Sequence, residues 1–189
     1  MNALLVIDVQ NGIVSCGDYK EELFLMEQVI KDFKESNRPV IFIRHVDDAE
    51  ESPLKRSSIG SDIHPSLKDY SDYLVEKQTP SSFFQTELTQ TLEKLGVDHL
   101  FIIGFETEFC CMFTAIAAYD RGYKVTFIRD ATGTTNTAES YGVQGLDIKQ
   151  FVGTVLLGRE SLNLSEDSPS ISLCGLDGEF FNTLDIFVF

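Results

Sequence analysis

Apolar side chains run almost unbroken through ALLVIDV at residues 3–9, and the first polar residue in the run is Asp8. A strand that is apolar on both faces belongs in the middle of a parallel sheet. RPVIFIRHV (38–46), DYLVEK (72–77), DHLFIIGF (98–105), YKVTFIRDA (123–131) and GTVLL (153–157) read as further strands. Between them the period changes. Over 20–36, Leu23, Leu25, Met26, Val29, Ile30 and Phe33 recur at helical spacing. Thr79-Pro80-Ser81-Ser82 opens a second helix over 82–95, carried by Phe83, Phe84, Leu88 and Leu92 and capped by Gly96. A third helix covers 107–121 and stops at Arg121-Gly122. A weaker one covers 137–150, interrupted by Gly142 and Gly145. The polar stretch 47–70, broken by Pro53, Gly60 and Pro65, reads as a long loop with one helical turn. Strands that alternate with helices predict an α/β fold, a parallel sheet with helices on both faces.

The 189 residues suit one domain, with no repeat and no interdomain linker. After Gly158 the pattern changes to a loop-like tail ending in the apolar LDIFVF, which has the character of a surface that packs on the domain or on another subunit. A hydrophobic share of 43% and a mean hydropathy of −0.03 exclude a disordered chain. The formal net charge of −15 argues against nucleic acid and acidic membranes as partners. No stretch is long enough for a membrane span, and MNALLVIDVQ lacks the basic leader of a signal peptide. Cys16, Cys110, Cys111 and Cys174 show no disulfide framework and no CxxC pair, which points to a reducing cytoplasm.

In open α/β sheets, ligands bind beyond the carboxyl ends of the strands. Three reactive residues fall there: Asp8 ends the first strand, Lys77 the third, and Cys110 follows the fourth in the first turn of a helix. Singly, each has a plain structural reading: a turn-forming aspartate, a solvated lysine, a small core thiol. Together they make chemical sense. A helix N-terminus and an ammonium both lower a thiol pKa, and a carboxylate can take its proton. Helical geometry turns Cys111 about 100° away from Cys110, toward Thr114, Ala115 and Ala118, which marks Cys111 as packing.

These residues lie in motifs. DVQNG (8–12), K-x-x-x-S-x-F from Lys77 to Phe83 and G-x-E-T-E-F-C from Gly104 to Cys110 resemble the isochorismatase-like cysteine hydrolases. That family includes nicotinamidases, N-carbamoylsarcosine amidase and ureidoacrylate hydrolases. TAIAAYDRGYKVTFIRDA (114–131) is similar to a further family segment, and the resemblance spans residues 3–157.

The resemblance implies a three-layer α-β-α, Rossmann-like domain with a six-stranded parallel sheet, commonly a homodimer or homotetramer, acting on a small molecule without a cofactor. It implies an Asp8, Lys77, Cys110 triad, a cis peptide at Phe105–Glu106, and an oxyanion hole made by the backbone N–H groups of Glu106 and Cys110. The implied chemistry is hydrolysis of an amide or ureide through a thioester. The alternatives are a catalytically silent binding or assembly protein and a vinyl-ether hydrolase of the isochorismatase type. Gln10, His45, Phe83, Phe109 and Tyr141 are candidates for substrate contact, with Arg44 more plausibly in a surface ion pair. The D-x-H metal motif of nicotinamidases is absent, since His45 precedes Asp47. A metal set built from His45, Asp47 and His64 is conceivable, the plainer reading is loop residues on a polar surface, and the expectation is no metal.

Overall fold

The computed structural model describes residues 1–157 and 186–188. Its sheet has the order β3-β2-β1-β4-β5-β6. Five strands are parallel: β1 (Asn2–Ile7), β2 (Val40–His45), β3 (Tyr73–Lys77), β4 (His99–Phe105) and β5 (Lys124–Gly133). The short β6 (Ile186–Val188) pairs antiparallel with β5. The parallel sheet therefore has five strands, not the six expected.

Alternate residues of β1 face opposite layers. Ala3, Leu5 and Ile7 pack in one core, and Leu4 and Val6 in the other. The first core is closed by α3 (Leu88–Leu95), α4 (Met112–Tyr119) and α5 (Ile148–Leu157), the second by α2 (Lys20–Glu35) with the short turn α1 (Asn11–Val14). On α2 the buried set is Met26, Val29, Ile30 and Phe33, a stripe at helical spacing. Burial on both faces explains why β1 reads as a continuous apolar run.

Three expectations need correction. GTVLL belongs to α5: Ile148, Val152 and Leu156 are buried at intervals of four, a helical face. The helix expected over 137–150 is a single turn at Glu139–Tyr141 followed by irregular backbone. Gly142 and Gly145 adopt φ values of +64° and +74°, which a helix cannot accommodate, so the helix starts after them. The helix expected from residue 82 begins only at Leu88. The Ser82 N–H and hydroxyl are engaged with Thr114 Oγ1, and the Thr86 hydroxyl donates to the Ser82 carbonyl, holding 82–87 in turns. Most of the tail predicted after Gly158 lies outside the described residues, as does Cys174. Of LDIFVF, Ile186–Val188 joins the sheet edge.

The strand order reverses between β1 and β4, the two central neighbours. At such a switch point the connections leave in opposite directions and open a crevice at the carboxyl ends of the strands.

Candidate active site

Asp8 directly follows β1, at the crevice. Its φ is +53°, a left-handed conformation that aspartate tolerates better than most residues. Its N–H donates to the Ile43 carbonyl and its carbonyl accepts from the Gln10 N–H, so the turn is held from both sides. Lys77 closes β3, and Cys110 lies in a π-helical turn, Thr107–Cys111, that runs into α4. A π turn widens the helix by one residue and is frequent at functional sites.

The three side chains meet. Lys77 Nζ lies 2.6 Å from Asp8 Oδ2 and donates to Cys110 Sγ at 3.1 Å. Asp8, Lys77 and Cys110 are all buried, at 1%, 2% and 8% exposure. Asp8 Oδ1 is buried without a hydrogen-bond partner, which leaves an oxygen free to take a proton. Burial pushes the Cys110 thiol well above its ordinary value. The Asp8 charge adds to that rise, and Lys77 only partly offsets both. The expectation of a depressed thiol pKa is thus reversed, because loss of solvent outweighs the ammonium and the helix end. Burial also opposes the Lys77 ammonium, but Asp8 and Cys110 outweigh it and its pKa is raised. Thiol, ammonium and carboxyl group thus lie together, out of bulk water.

Cys111 is fully buried, donates to the Phe105 carbonyl at 3.2 Å and packs with Ala115 and Ala118. The Phe105–Glu106 peptide expected to be cis is trans, there being no cis bond among the described residues. Trans is the form favoured by about 3 kcal/mol before a non-proline residue. The Glu106 carbonyl accepts from the N–H groups of Phe109 and Cys111 and anchors the π turn.

The weaker candidates divide. His45, register partner of Lys77, sits in the cluster with Nδ1 3.1 Å from Lys77 Nζ. Gln10 is buried and its side chain is engaged by the loop. Its amide donates to the carbonyls of His45 and Ser61 and accepts from the His45 N–H, so it clamps the loop. Phe83 is core, stacked on Tyr123 and beneath the Arg121 guanidinium. Arg44 pairs with Glu76, as expected of an ion pair. Phe109 and Tyr141 line an apolar cavity of about 250 Å³ with Met112, Leu146, Ile148 and Phe151. A larger hollow of about 520 Å³ lies near Arg38, Pro39 and Tyr73, at the amino ends of β2 and β3, away from the reactive cluster.

One group was missed by sequence reasoning. The carboxylates of Glu106 and Glu108 dock the loop after β5. Glu106 accepts from the Thr134 hydroxyl and from the N–H and hydroxyl of Thr135. Glu108 Oε1, which shares the Thr134 hydroxyl with Glu106, accepts from the Asn136 amide and the Tyr141 hydroxyl. Burial, and then the Glu108 contact, push the Tyr141 phenol up to about 12. The polar run TGTTNT after a buried strand was the available signal.

As for a metal, His45, Asp47 and His64 do not assemble, because the His64 ring is turned to Ser66. Among the described residues Asp8, His45 and Cys110 do bring one donor atom each within 4.8 Å of the others. Lys77 Nζ already lies 2.6–3.1 Å from each, where a shared cation would sit, so the set does not fit a metal.

Residues 2–157 match the model of the isochorismatase domain. The chain is 34% identical over 151 residues to Nicotinamidase 3 of Arabidopsis thaliana, covering 71% of this chain and 74% of that protein. Two solved structures are similar. N-carbamoylsarcosine amidase of Thermoplasma acidophilum has a TM-score of 0.64 at 25% identity, over 74% of this chain and 89% of its own. An isochorismatase of Pseudomonas putida KT2440 has a TM-score of 0.62 at 27% identity, over 70% and 71%.

Proposed function

The chain belongs to the isochorismatase family, and on that premise we propose that it is a cysteine hydrolase of a small amide or ureide, cleaving a carbon–nitrogen bond through a thioester. The observation that carries this reading is the Lys77 ammonium, buried between the Asp8 carboxylate and the Cys110 thiol at 2.6 and 3.1 Å. In the proposed cycle Asp8 takes the Cys110 proton as sulfur attacks the carbonyl carbon. Lys77 stabilises the thiolate while it exists. The oxyanion binds the backbone N–H groups of Glu106 and Cys110, and each such donor contributes about 3 kcal/mol. Asp8 then protonates the departing amine. Water, deprotonated by Asp8, cleaves the thioester and restores the thiol. The raised thiol pKa fits this order, since proton loss is coupled to attack rather than preceding it.

The reading extends to a protein working in the cytoplasm without a cofactor, as a homodimer or homotetramer. The free thiols of Cys16, Cys110 and Cys111 support a reducing compartment. Relatives named for nicotinamide and for N-carbamoylsarcosine suggest the first substrates to try. The test is ammonia release from nicotinamide, N-carbamoyl amino acids, biuret and ureidoacrylate, with wild type beside Cys110→Ala. Release by wild type alone supports the scheme. Equal release by both proteins sinks it.

A further inference from the structure

A lysine ammonium carries three protons and accepts none. Lys77 has one acceptor for each: Asp8 Oδ2 at 2.6 Å, Cys110 Sγ at 3.1 Å and His45 Nδ1 at 3.1 Å. Its side chain is 0% exposed, so bulk water offers no substitute. His45 Nδ1 must then be the bare, accepting nitrogen, and the ring proton lies on Nε2. That nitrogen faces Asp47 Oδ1 at 3.3 Å, and Asp47 is held by the Ser52 hydroxyl at 2.5 Å. The His45 backbone is clamped by the Gln10 amide on both its N–H and its carbonyl.

We infer that His45, oriented by Asp47, is a positioning residue that takes the third proton of Lys77 and thereby aims the other two at Asp8 and Cys110. This rests on the hydrolase reading above, since it gives His45 a task within that triad. The ammonium sits on a flexible four-carbon stem and rotates unless all three protons are engaged. Without His45 one N–H would be buried with no acceptor, and the head would turn to satisfy it. Sulfur is the weakest acceptor of the three, so the contact with Cys110 would be the first to go. The signal in the sequence was slight. His45 and Lys77 end adjacent strands, but only the pairing register sets them side by side.

The test needs no substrate. Iodoacetamide, itself a small amide, alkylates Cys110: the S–C bond forms, the C–I bond breaks, iodide leaves, and the thiol proton passes to Asp8. The rate at Cys110 is followed by peptide mass spectrometry on the full chain at pH 8, and folding is followed by thermal melting. His45→Ala should slow alkylation about tenfold. His45→Asn places an amide oxygen where Nδ1 stood and should restore most of the rate. In wild type, long-range proton–nitrogen NMR should show the Nε2–H tautomer of His45, and Asp47→Ala should lose that preference. A wild-type rate in His45→Ala overturns the inference. So does a folded His45→Asn as slow as His45→Ala, or an Nδ1–H tautomer in the wild type. Lys77→Met separates the two levels. If it alkylates as fast as wild type, the triad itself is wrong, and the task of His45 falls with it.

Discussion

A Cβ added to Gly104 would stand 2.1 Å from the carbonyl oxygen of Ile7, the residue before Asp8. Gly104 also has φ +124°, and the register of β4 against β5 shifts beside it. The close approach of β4 to β1 sets Asp8, which follows β1, beside the Cys110 turn, which follows β4. Gly104→Ala should therefore destabilise the protein by about 3 kcal/mol or more, through clash and backbone strain together. Urea denaturation measures the loss. The surviving folded fraction should release ammonia more slowly, because the Ile7–Asp8 backbone must move away.

The adjacent cysteines should respond in opposite ways. Cys110→Ala should abolish hydrolysis and cost about 1–2 kcal/mol, since it leaves one buried Lys77 N–H without its acceptor. Cys111→Ala should keep activity and cost about 1 kcal/mol, because Cys111 is fully buried and bonded to the Phe105 carbonyl. Parallel assays and melts of the two variants check both halves. Activity that survives in Cys110→Ala would reverse the assignment.

Stability should fall in alkali. Cys110, Cys111 and Lys77 all hold a proton more tightly when folded than when unfolded, for the reasons of burial and pairing given above. The thiols' contribution is complete below their ordinary value of 9.0 and is lost as pH rises past it, whereas that of Lys77 persists up to its ordinary 10.5. Removing both thiols, as Cys110→Ala/Cys111→Ala, should delete the part of the fall that begins near 9.0. What remains should start above 10.0, where tyrosines and then Lys77 titrate. Urea midpoints from pH 7 to 11 would show it, and an unchanged onset in the double variant would contradict it.

In acid the sign is the opposite. Burial, and then the nearby Lys124 charge, lower the His99 imidazole from 6.5 to about 4. The ring packs on Phe101 and shares a hydrogen bond with Thr126. Folded protein therefore binds fewer protons than unfolded, and stability present above 6.5 is lost as pH falls toward 4. Imidazole NMR shifts of His99 should give a midpoint near 4. His99→Gln should flatten this arm of the stability curve.

The chain by itself determined what depends on neighbours in sequence. An apolar run such as 3–7 must be buried on both faces, and alternating periods then demand a layered α/β sheet. Strand ends are local features too, so the sequence alone places Asp8, Lys77 and Cys110 at one edge, and the motifs around them point to the family. Other features arise from contacts between residues far apart in the chain. GTVLL has strand-forming residues, but the space beside β5 and the left-handed Gly142 and Gly145 made it a helix. By sequence Phe83 suited either a pocket wall or the core, and Tyr123 and Arg121 enclose it. The Gln10 amide was taken by His45 and Ser61, and burial raised a thiol that its immediate neighbours should have lowered. Hydrogen-bond saturation and desolvation depend on everything within a few ångströms, whatever its place in the chain. Only the tertiary structure decided that Lys77 would share its three protons among Asp8, Cys110 and His45.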